Sequence, residues 1–435
     1  MAQTVTVIGA GLAGVEAANQ LAKENIPVTL IEMKPKKFSP AHKKDGFAEL
    51  VCSNSLKASR LESAAGLLKE EMRRFGSICM WAADQCSVAA GGALAVDRDE
   101  FSRLITQRIK ENPLITVETK EATDIPDGYT IIAAGPLASD SLAQSIKGIC
   151  GEGLSFFDAA APIVTLESLD MSCAFTQSRY DRGGDDDYIN CPMNKEEYEA
   201  FYKELVNAKS AELHSFDKRK DVYEGCMPIE VMASRGQDTI RFGPMKPVGL
   251  KDPRTGHRPW AVVQLRRENA QGTLFNLVGF QTNLTFSEQK RVFSMIPALK
   301  NADFMRYGVM HRNTFINSPK LLDADFSMRS NEKLFFAGQI TGVEGYMESA
   351  SSGILAGLNL ARRINGKESI VLPKTTMMGA LSRYISDETV NNFQPMGANF
   401  GILPPLEEHI RDKKLRYAEL AKRGIADLEK EMELL

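Results

Sequence analysis

The sequence predicts an α/β fold in which a parallel sheet wound with helices is interrupted by an inserted mixed α/β domain. Three stretches carry that prediction. Residues 5–32, VTVIGAGLAGVEAANQLAKENIPVTLIE, read as an apolar strand, a glycine turn, an alanine-rich helix and a second strand ending in a carboxylate. Residues 129–135, YTIIAAG, look like the strand closing a nucleotide-binding half, and residues 333–338, KLFFAG, resume the pattern far downstream after a stretch of different character. In the first stretch Gly9 permits the tight turn, Gly11 lets backbone approach a pyrophosphate and Gly14 allows close helix-to-strand packing. Ala10, Leu12 and Ala13 complete the turn and the helix start, where backbone amides and the helix dipole favour an anion. Glu32 lies where an acid binds ribose hydroxyls, and a 2′-phosphate would meet its negative charge, so FAD or NAD is favoured over NADP. Glycines also mark ordinary turns, but here strand, helix, second strand and acid all agree.

At 435 residues the chain is too long for one ordinary core, so two or three domains are expected. No apolar run approaches the length needed to cross a bilayer, and MAQ leads straight into a core strand, leaving no room for a secretory leader. A cytoplasmic location is expected. Seven cysteines without a CxxC pair suit a reducing compartment, and five dispersed histidines offer no metal-ligand spacing. A net charge of -3 gives no global sign of nucleic-acid binding, so any polyanion partner must meet a local patch.

After Glu32 a basic, irregular stretch leads to AELVCSNSLKASRLESAAGLLKEEMRRFGS, whose apolar residues recur at helical spacing from Leu56 onward. Ser53 or Asn54 is placed to cap that helix, which puts Cys52 just ahead of a helix N-terminus, where a thiol becomes reactive. The bland alternative is a small buried hydrophobe. Val96-Asp97-Arg98 opens another helix, and a strand follows it. From about Gly151 to Asp303, strands, turns and charge clusters such as DRGGDDD suggest the inserted domain. Within it Cys226 sits between a glycine and a Met-Pro step, a loop-like setting. From Arg235 to Arg267 eight Arg/Lys, among them Arg241, Lys246, Arg254 and Arg258, face two acids, with Phe242, His257 and Trp260 interleaved. Cations neutralise phosphates and rings stack on unpaired bases, so this segment is a candidate RNA surface, with a solvated sheet face as the alternative.

Beyond the strand ending at Gly338, a second glycine turn with Gly342 and Gly345 feeds a helix from about Ala350 to Arg363. Two separated glycine turns suit a flavin, one for its adenosine and pyrophosphate and one for its ring system, which favours FAD over NAD. A purely structural strand-turn-helix is the other reading of the second turn. The final piece reads as a solvated terminal helix, with an RNA contact through its basic residues, among them Arg411, Lys413 and Arg416, as the alternative.

In order along the chain, IGAGLAGVEAANQLA, LVCSNSLK, EGCMPIEVMASRG, FGPMKPVGL, AVVQLRREN, VGFQTNL, EQKRVFSMIP and FAGQITGVEGYMESA closely resemble the TrmFO family, the folate- and FAD-dependent tRNA (uracil-5-)-methyltransferases, themselves related to the MnmG/GidA flavoproteins. The resemblance runs from the first strand to about Pro405. It implies a discontinuous FAD-binding domain at 1–150 and 304–405, Rossmann-like and of the glutathione-reductase type, an inserted mixed α/β domain at 151–303 contacting tRNA, and a helical tail at 406–435. It further implies transfer of a one-carbon unit from 5,10-methylenetetrahydrofolate to C5 of the T-loop uridine at position 54. Reduced FAD supplies the electrons and NAD(P)H re-reduces it. By resemblance Cys226 matches the uracil nucleophile, Cys52 the cysteine beside the flavin proposed as general base, and Cys191 a third family cysteine with no assigned step. Cys79, Cys86, Cys150 and Cys173 are read as structural. The partners implied are tRNA and folate, with no membrane and no obligate protein partner. Two rival readings stay open: an FAD-dependent oxidoreductase acting on a small molecule, and a flavin-bearing tRNA-binding protein without transfer activity.

Overall fold

A computed structural model describes residues 4–39, 41–151, 154–181, 184, 187–211, 227–390 and 393–434. The first stretch folds as β1 (Val5–Ile8), α1 (Leu12–Lys23) and β2 (Val28–Glu32), with Val5 pairing Val28 and Ile8 pairing Ile31 in parallel. Val5, Val7 and Ile8 are buried, so both sides of β1 carry residues removed from solvent, which is why the strand reads as a nearly continuous apolar run.

The next segment departs from expectation. Its local pattern predicts a helix from Leu56, but residues Ser55–Ala58 form a strand, β3, antiparallel to Ala93–Val96. Asn54 sets this pairing by donating its amide to the Val96 and Arg267 carbonyls at 3.1 and 2.8 Å. Long-range pairing thereby outweighs a local periodicity that belongs to the next element. That element is α2 (Ala64–Arg74), whose N-cap is Ser63, accepting from the Gly66 amide. Cys52 therefore precedes a strand, not a helix N-terminus. Further on, α3 (Arg98–Lys110) begins where predicted, its N-cap Asp97 accepting the amides of Asp99 and Glu100. It is followed by β4 (Ile115–Thr119) and β5 (Thr130–Ile132).

A second sheet forms between these halves. It contains β6 (Ile163–Thr165), β7 (Tyr188–Met193), β8 (Ala261–Arg267), β9 (Leu274–Leu277) and β10 (Phe304–Arg306), in the order β7-β8-β9-β6-β10 with Phe175–Thr176 on the outer edge of β7. All its pairings are antiparallel. Its core holds Cys191, Phe201, Val263, Phe280 and Phe293, together with the helix Lys195–Asn207 and α4 (Phe286–Phe293). The chain enters and leaves through an antiparallel pair, Leu154–Ala159 against Met310–Phe315.

The parallel sheet resumes with β11 (Asn331–Phe336), giving the order β4-β2-β1-β5-β11 and an antiparallel edge strand, Ser327–Met328. Then α5 runs Tyr346–Ile364, starting a turn earlier than Ala350. It lies against α1 at close range, because a Cβ on Gly353 would overlap the Ala13 carbonyl and one on Gly357 would stand 2.7 Å from the Ala17 carbonyl oxygen. Next come α6 (Met377–Tyr384) and α7 (Lys413–Met432). The terminal helix is not merely solvated. Leu420, Ala421 and Leu428 enter the first core, and Arg74 on α2 pairs with Glu429 at 2.6 Å. The residues spaced three and four apart form one buried stripe, while the charges that dominate the composition occupy the other face.

Buried Glu71 on α2 accepts from the Met377 and Met378 amides at 2.7 and 2.8 Å, so α2 caps the start of α6. Burial pushes its carboxyl up to about 8 despite those bonds. A carboxyl with its folded pKa above the unfolded value holds its proton more tightly when folded. The stability it contributes is complete below the unfolded value of 4.5 and is lost as pH rises through about 8. Urea midpoints should therefore fall between about pH 5 and pH 9. Glu71→Gln should start lower, since its amide turns a donor towards a donor, and give a flatter profile; a slope as steep as the unaltered protein's would remove Glu71 as the cause.

Candidate active site

The strand order reverses direction beside β1, and the carboxyl ends of β1, β2, β5 and β11 open into a cleft of about 1170 Å³ including its solvent-filled mouth. Residues 9–13, Glu32, residues 133–139, Gly338 and Cys52 line it. The three N-terminal glycines differ in their surroundings. Gly9 turns at φ +99°, and a Cβ there would come within 2.7 Å of the Ala133 carbonyl oxygen. A Cβ on Gly14 would overlap the Gly9 carbonyl oxygen, whereas one on Gly11 would meet nothing within 4 Å. Gly11 thus faces open space at the N-cap of α1, and no side chain caps that helix end. Its first amides remain available to an anion in the cleft, the arrangement that a dinucleotide pyrophosphate needs. Glu32, buried at the tip of β2, accepts from the Ala10 and Lys34 amides at 2.8 and 2.9 Å. The acid read as a ribose ligand also staples the glycine turn to the neighbouring strand.

At the second turn Gly338, with φ +89°, reaches the cleft and donates its amide to Ser352 Oγ at 2.7 Å. Gly342 and Gly345 lie behind it. The first packs against Phe393, the second beside Glu348 and Lys57, and their φ values of +84° and +124° shape the turn into α5. Gln339, Tyr346 and Ser349 line the cleft instead.

Cys52 stands on the cleft wall within a segment gripped from several directions. The Cys52 and Ser53 amides donate to Tyr346 Oη at 2.7 and 3.1 Å. Arg98 donates to the Leu50 and Val51 carbonyls at 2.9 and 3.1 Å, and Arg306 to the Val51 carbonyl at 2.5 Å. Arg266 reaches Ser53 Oγ at 2.8 Å and Asn54 Oδ1 at 3.1 Å. Glu268, paired with Arg98, sits among these guanidiniums, so three cations face one carboxylate beneath the segment. Burial pulls Arg266 and Arg306 below arginine's usual value and pushes Glu268 up. Arg306 and Tyr346 both lie within electrostatic range of the Cys52 sulfur. The helix dipole expected beside Cys52 is replaced by this arginine cage. Sequence reasoning missed Arg98, Arg306 and Tyr346, and no local spacing signals them, since the fold gathers them from α3, β10 and α5.

Burial pushes the Cys86 and Cys191 thiols up to about 12 and Cys150 up to about 11, while Cys79 is raised by burial and by Glu16. Cys191 is a core residue of β7, opposite Val263. Cys226 lies outside the described residues. In the basic segment, Arg241 stacks over Trp260 at 3.8 Å and donates to its carbonyl at 3.0 Å. Arg254 is clamped on Asp252 at 2.8 and 3.0 Å and on the Ser172 carbonyl at 2.7 Å. Arg266 is buried in the cage, while Lys246, Arg258 and the ring of Phe242 are exposed. Composition counted all these cations alike, but internal acceptors claim several of them.

The family described as "Glucose inhibited division protein A", GidA, matches residues 4–368. Solved structures of Aquifex aeolicus GidA resemble this fold with TM-scores of 0.70 and 0.68, at 17% identity, over 98% and 99% of this chain and 76% of theirs. Fold and cleft together define a dinucleotide-binding flavoprotein of the GidA class. Within that class, the methylenetetrahydrofolate–tRNA-(uracil-5-)-methyltransferase TrmFO of Acetivibrio thermocellus is 60% identical over 427 residues, 98% of each chain. That of Lactobacillus gasseri is 57% identical over 431 residues, 99% of this chain and 98% of its own. This chain belongs to the TrmFO family of folate-dependent tRNA uracil-5-methyltransferases. No helix among the described residues is long and apolar enough to cross a membrane.

Proposed function

We propose that the chain methylates C5 of the T-loop uridine at position 54 of tRNA, in the cytoplasm, with 5,10-methylenetetrahydrofolate as the one-carbon donor and NAD(P)H as the source of electrons. The observation that carries this reading is Cys52 on the wall of a cleft whose far end is an uncapped glycine turn. The turn at residues 9–14 and Glu32 would hold the pyrophosphate and ribose of FAD, and Gly338 with the start of α5 its ring end. When bound, reduced FAD supplies the hydride that completes the methyl group.

The chain's own residues supply the rest. C5 of uracil becomes nucleophilic when a thiolate adds at C6 and pushes its electrons towards C5, which then attacks the methylene electrophile. Cys226 is assigned that addition, on the proposed inserted domain at 151–303. A base must then take the C5 proton so that the folate amine is expelled and an exocyclic methylene forms; hydride addition to that methylene restores the C5–C6 double bond and releases the C6 thiolate. Cys52 is assigned the proton removal because it stands on the cleft wall with the Arg306 guanidinium within electrostatic range of its sulfur. Lys246 and Arg258 are assigned to RNA phosphates, while Arg241 and Arg254 act through the shape of that surface, being held by Trp260 and Asp252.

The test uses T-loop RNA with 5-fluorouracil at the target base. Fluorine does not leave as a proton does, so the reaction should stall as a denaturation-resistant adduct. Cys226→Ala should abolish the adduct, and an undiminished adduct would reject the nucleophile assignment. RNA binding with no adduct would favour a tRNA-binding flavoprotein without transfer, and absence of RNA binding a small-molecule oxidoreductase.

A further inference from the structure

We propose that the stacked rings of Phe286, Tyr307 and Phe304 form a platform on which an unpaired base of the RNA stacks; this rests on the RNA reading above and adds to it a second contact surface, away from the basic segment. The rings of Phe286 and Tyr307 lie 4.9 Å apart at 15°, and those of Tyr307 and Phe304 5.4 Å apart at 9°. Phe304 continues inward to Phe293 at 6.5 Å, so the ladder is rooted in the core. Its outermost ring, Phe286, is 55% exposed. Among ring pairs in the same core, Phe280 meets Phe293 at 72° and Phe201 at 34°, and Tyr198 lies at 27° to Tyr202 with centroids 6.4 Å apart, so none is as close to parallel as the two pairs of the ladder. A nearly parallel ladder ending in solvent offers the flat apolar face that an unpaired base uses.

Its position favours a nucleic acid base over another occupant. Tyr307 directly follows Arg306, which holds the Val51 carbonyl beside Cys52. On the other side, the residues leading into Phe286 anchor both flanks of the segment that carries Cys226. Thr285 donates to the Lys209 carbonyl at 3.1 Å, Ala211 to the Asn283 carbonyl at 2.7 Å and Ile229 to the Gln281 carbonyl at 2.7 Å. The ladder thus stands between attachments of the two cysteines assigned to uracil chemistry. Exposed Lys209 and Lys290 border it, the latter one helical turn beyond Phe286, whereas Arg291 is occupied by Glu288 and Glu204. Flanking cations around a flat ring complement a base and its phosphates.

The experiment titrates the FAD-bound protein with a T-arm hairpin RNA carrying 2-aminopurine in the loop. Stacking is worth about 1–3 kcal/mol per base, so Phe286→Ala should weaken Kd by about 5- to 150-fold and reduce 2-aminopurine quenching. The salt dependence should stay unchanged, because no phosphate contact is lost. Phe286→Trp should restore affinity and quenching. FAD content and melting temperature of both variants should match the unaltered protein, since an exposed ring contributes little to the fold. Phe286→Ala binding within about twofold of the unaltered protein would overturn the platform and leave the methyltransferase reading standing. A changed oligomeric state in Phe286→Ala would also overturn it, making the ring a contact between copies of the chain. Failure of the unaltered protein to bind the hairpin would overturn the RNA reading itself.

Discussion

Gly14→Ala is expected to purify without the yellow flavin chromophore and to melt well below the unaltered protein. The added methyl group would overlap the Gly9 carbonyl oxygen, and Gly9 has nowhere to retreat. Its amide donates to the Ile31 carbonyl at 2.8 Å, and its own Cα faces the Ala133 carbonyl. The turn must open, which separates the Ala10 amide from Glu32 and tilts α1 off the sheet. Overpacking of this kind costs about 1–3 kcal/mol or more in stability, and FAD affinity should fall at least as far, by about a hundredfold. Gly11→Ala provides the contrast. Its Cβ meets no protein atom, so the flavin-free protein should melt normally while FAD affinity falls, because the methyl group occupies the space where the pyrophosphate would approach. Absorbance near 450 nm and FAD titration read the first property, and thermal melting of stripped protein the second. If both variants bind FAD normally, the pyrophosphate does not lie at this turn.

Cys52→Ala should retain flavin yet lose 5-methyluridine formation by about a thousandfold, the scale of a missing general base. The distinguishing result concerns the sulfur itself. Four cysteines, Cys79, Cys86, Cys150 and Cys191, are held as thiols by burial and should resist iodoacetamide at neutral pH. Cys52, facing an open cleft above three guanidiniums and one carboxylate, should alkylate readily. The other charges near it are committed elsewhere: Glu49 accepts the Lys43 amide at 3.0 Å and pairs with Lys34 at 3.5 Å, and burial keeps the Tyr346 hydroxyl protonated. Replacing Arg306 by Gln should slow alkylation of Cys52 about tenfold at neutral pH, and Arg306→Lys should recover part of the rate. A rate indifferent to residue 306 would show that the arginine holds the loop without acting on the sulfur. Peptide mapping after brief labelling measures each cysteine separately.

Much of this site was legible along the chain, for a reason that the turn itself explains. A glycine turn between a strand and a helix is built from consecutive residues, so its spacing records the requirement at Gly9, Gly11 and Gly14 directly. The N-cap at Asp97 is legible for the same reason. Errors arose where the deciding partner is distant. Residues 55–58 carry a helical spacing but pair with residues 93–95, and the charge-rich terminal helix gives up Leu420 and Leu428 to a core whose nearest partner is α2.

By itself the sequence determined the strand, glycine turn and helix of the first unit, the return of the parallel sheet and the family, because each is written in contiguous residues. Tertiary structure alone decided that the segment carrying Cys52 is held by arginines instead of leading into a helix, that Arg241 and Arg254 are spoken for, and that three rings from two segments line up towards solvent. Field and stacking depend on distances of a few ångströms between side chains far apart in the chain, and those distances exist only once the two sheets have closed on each other.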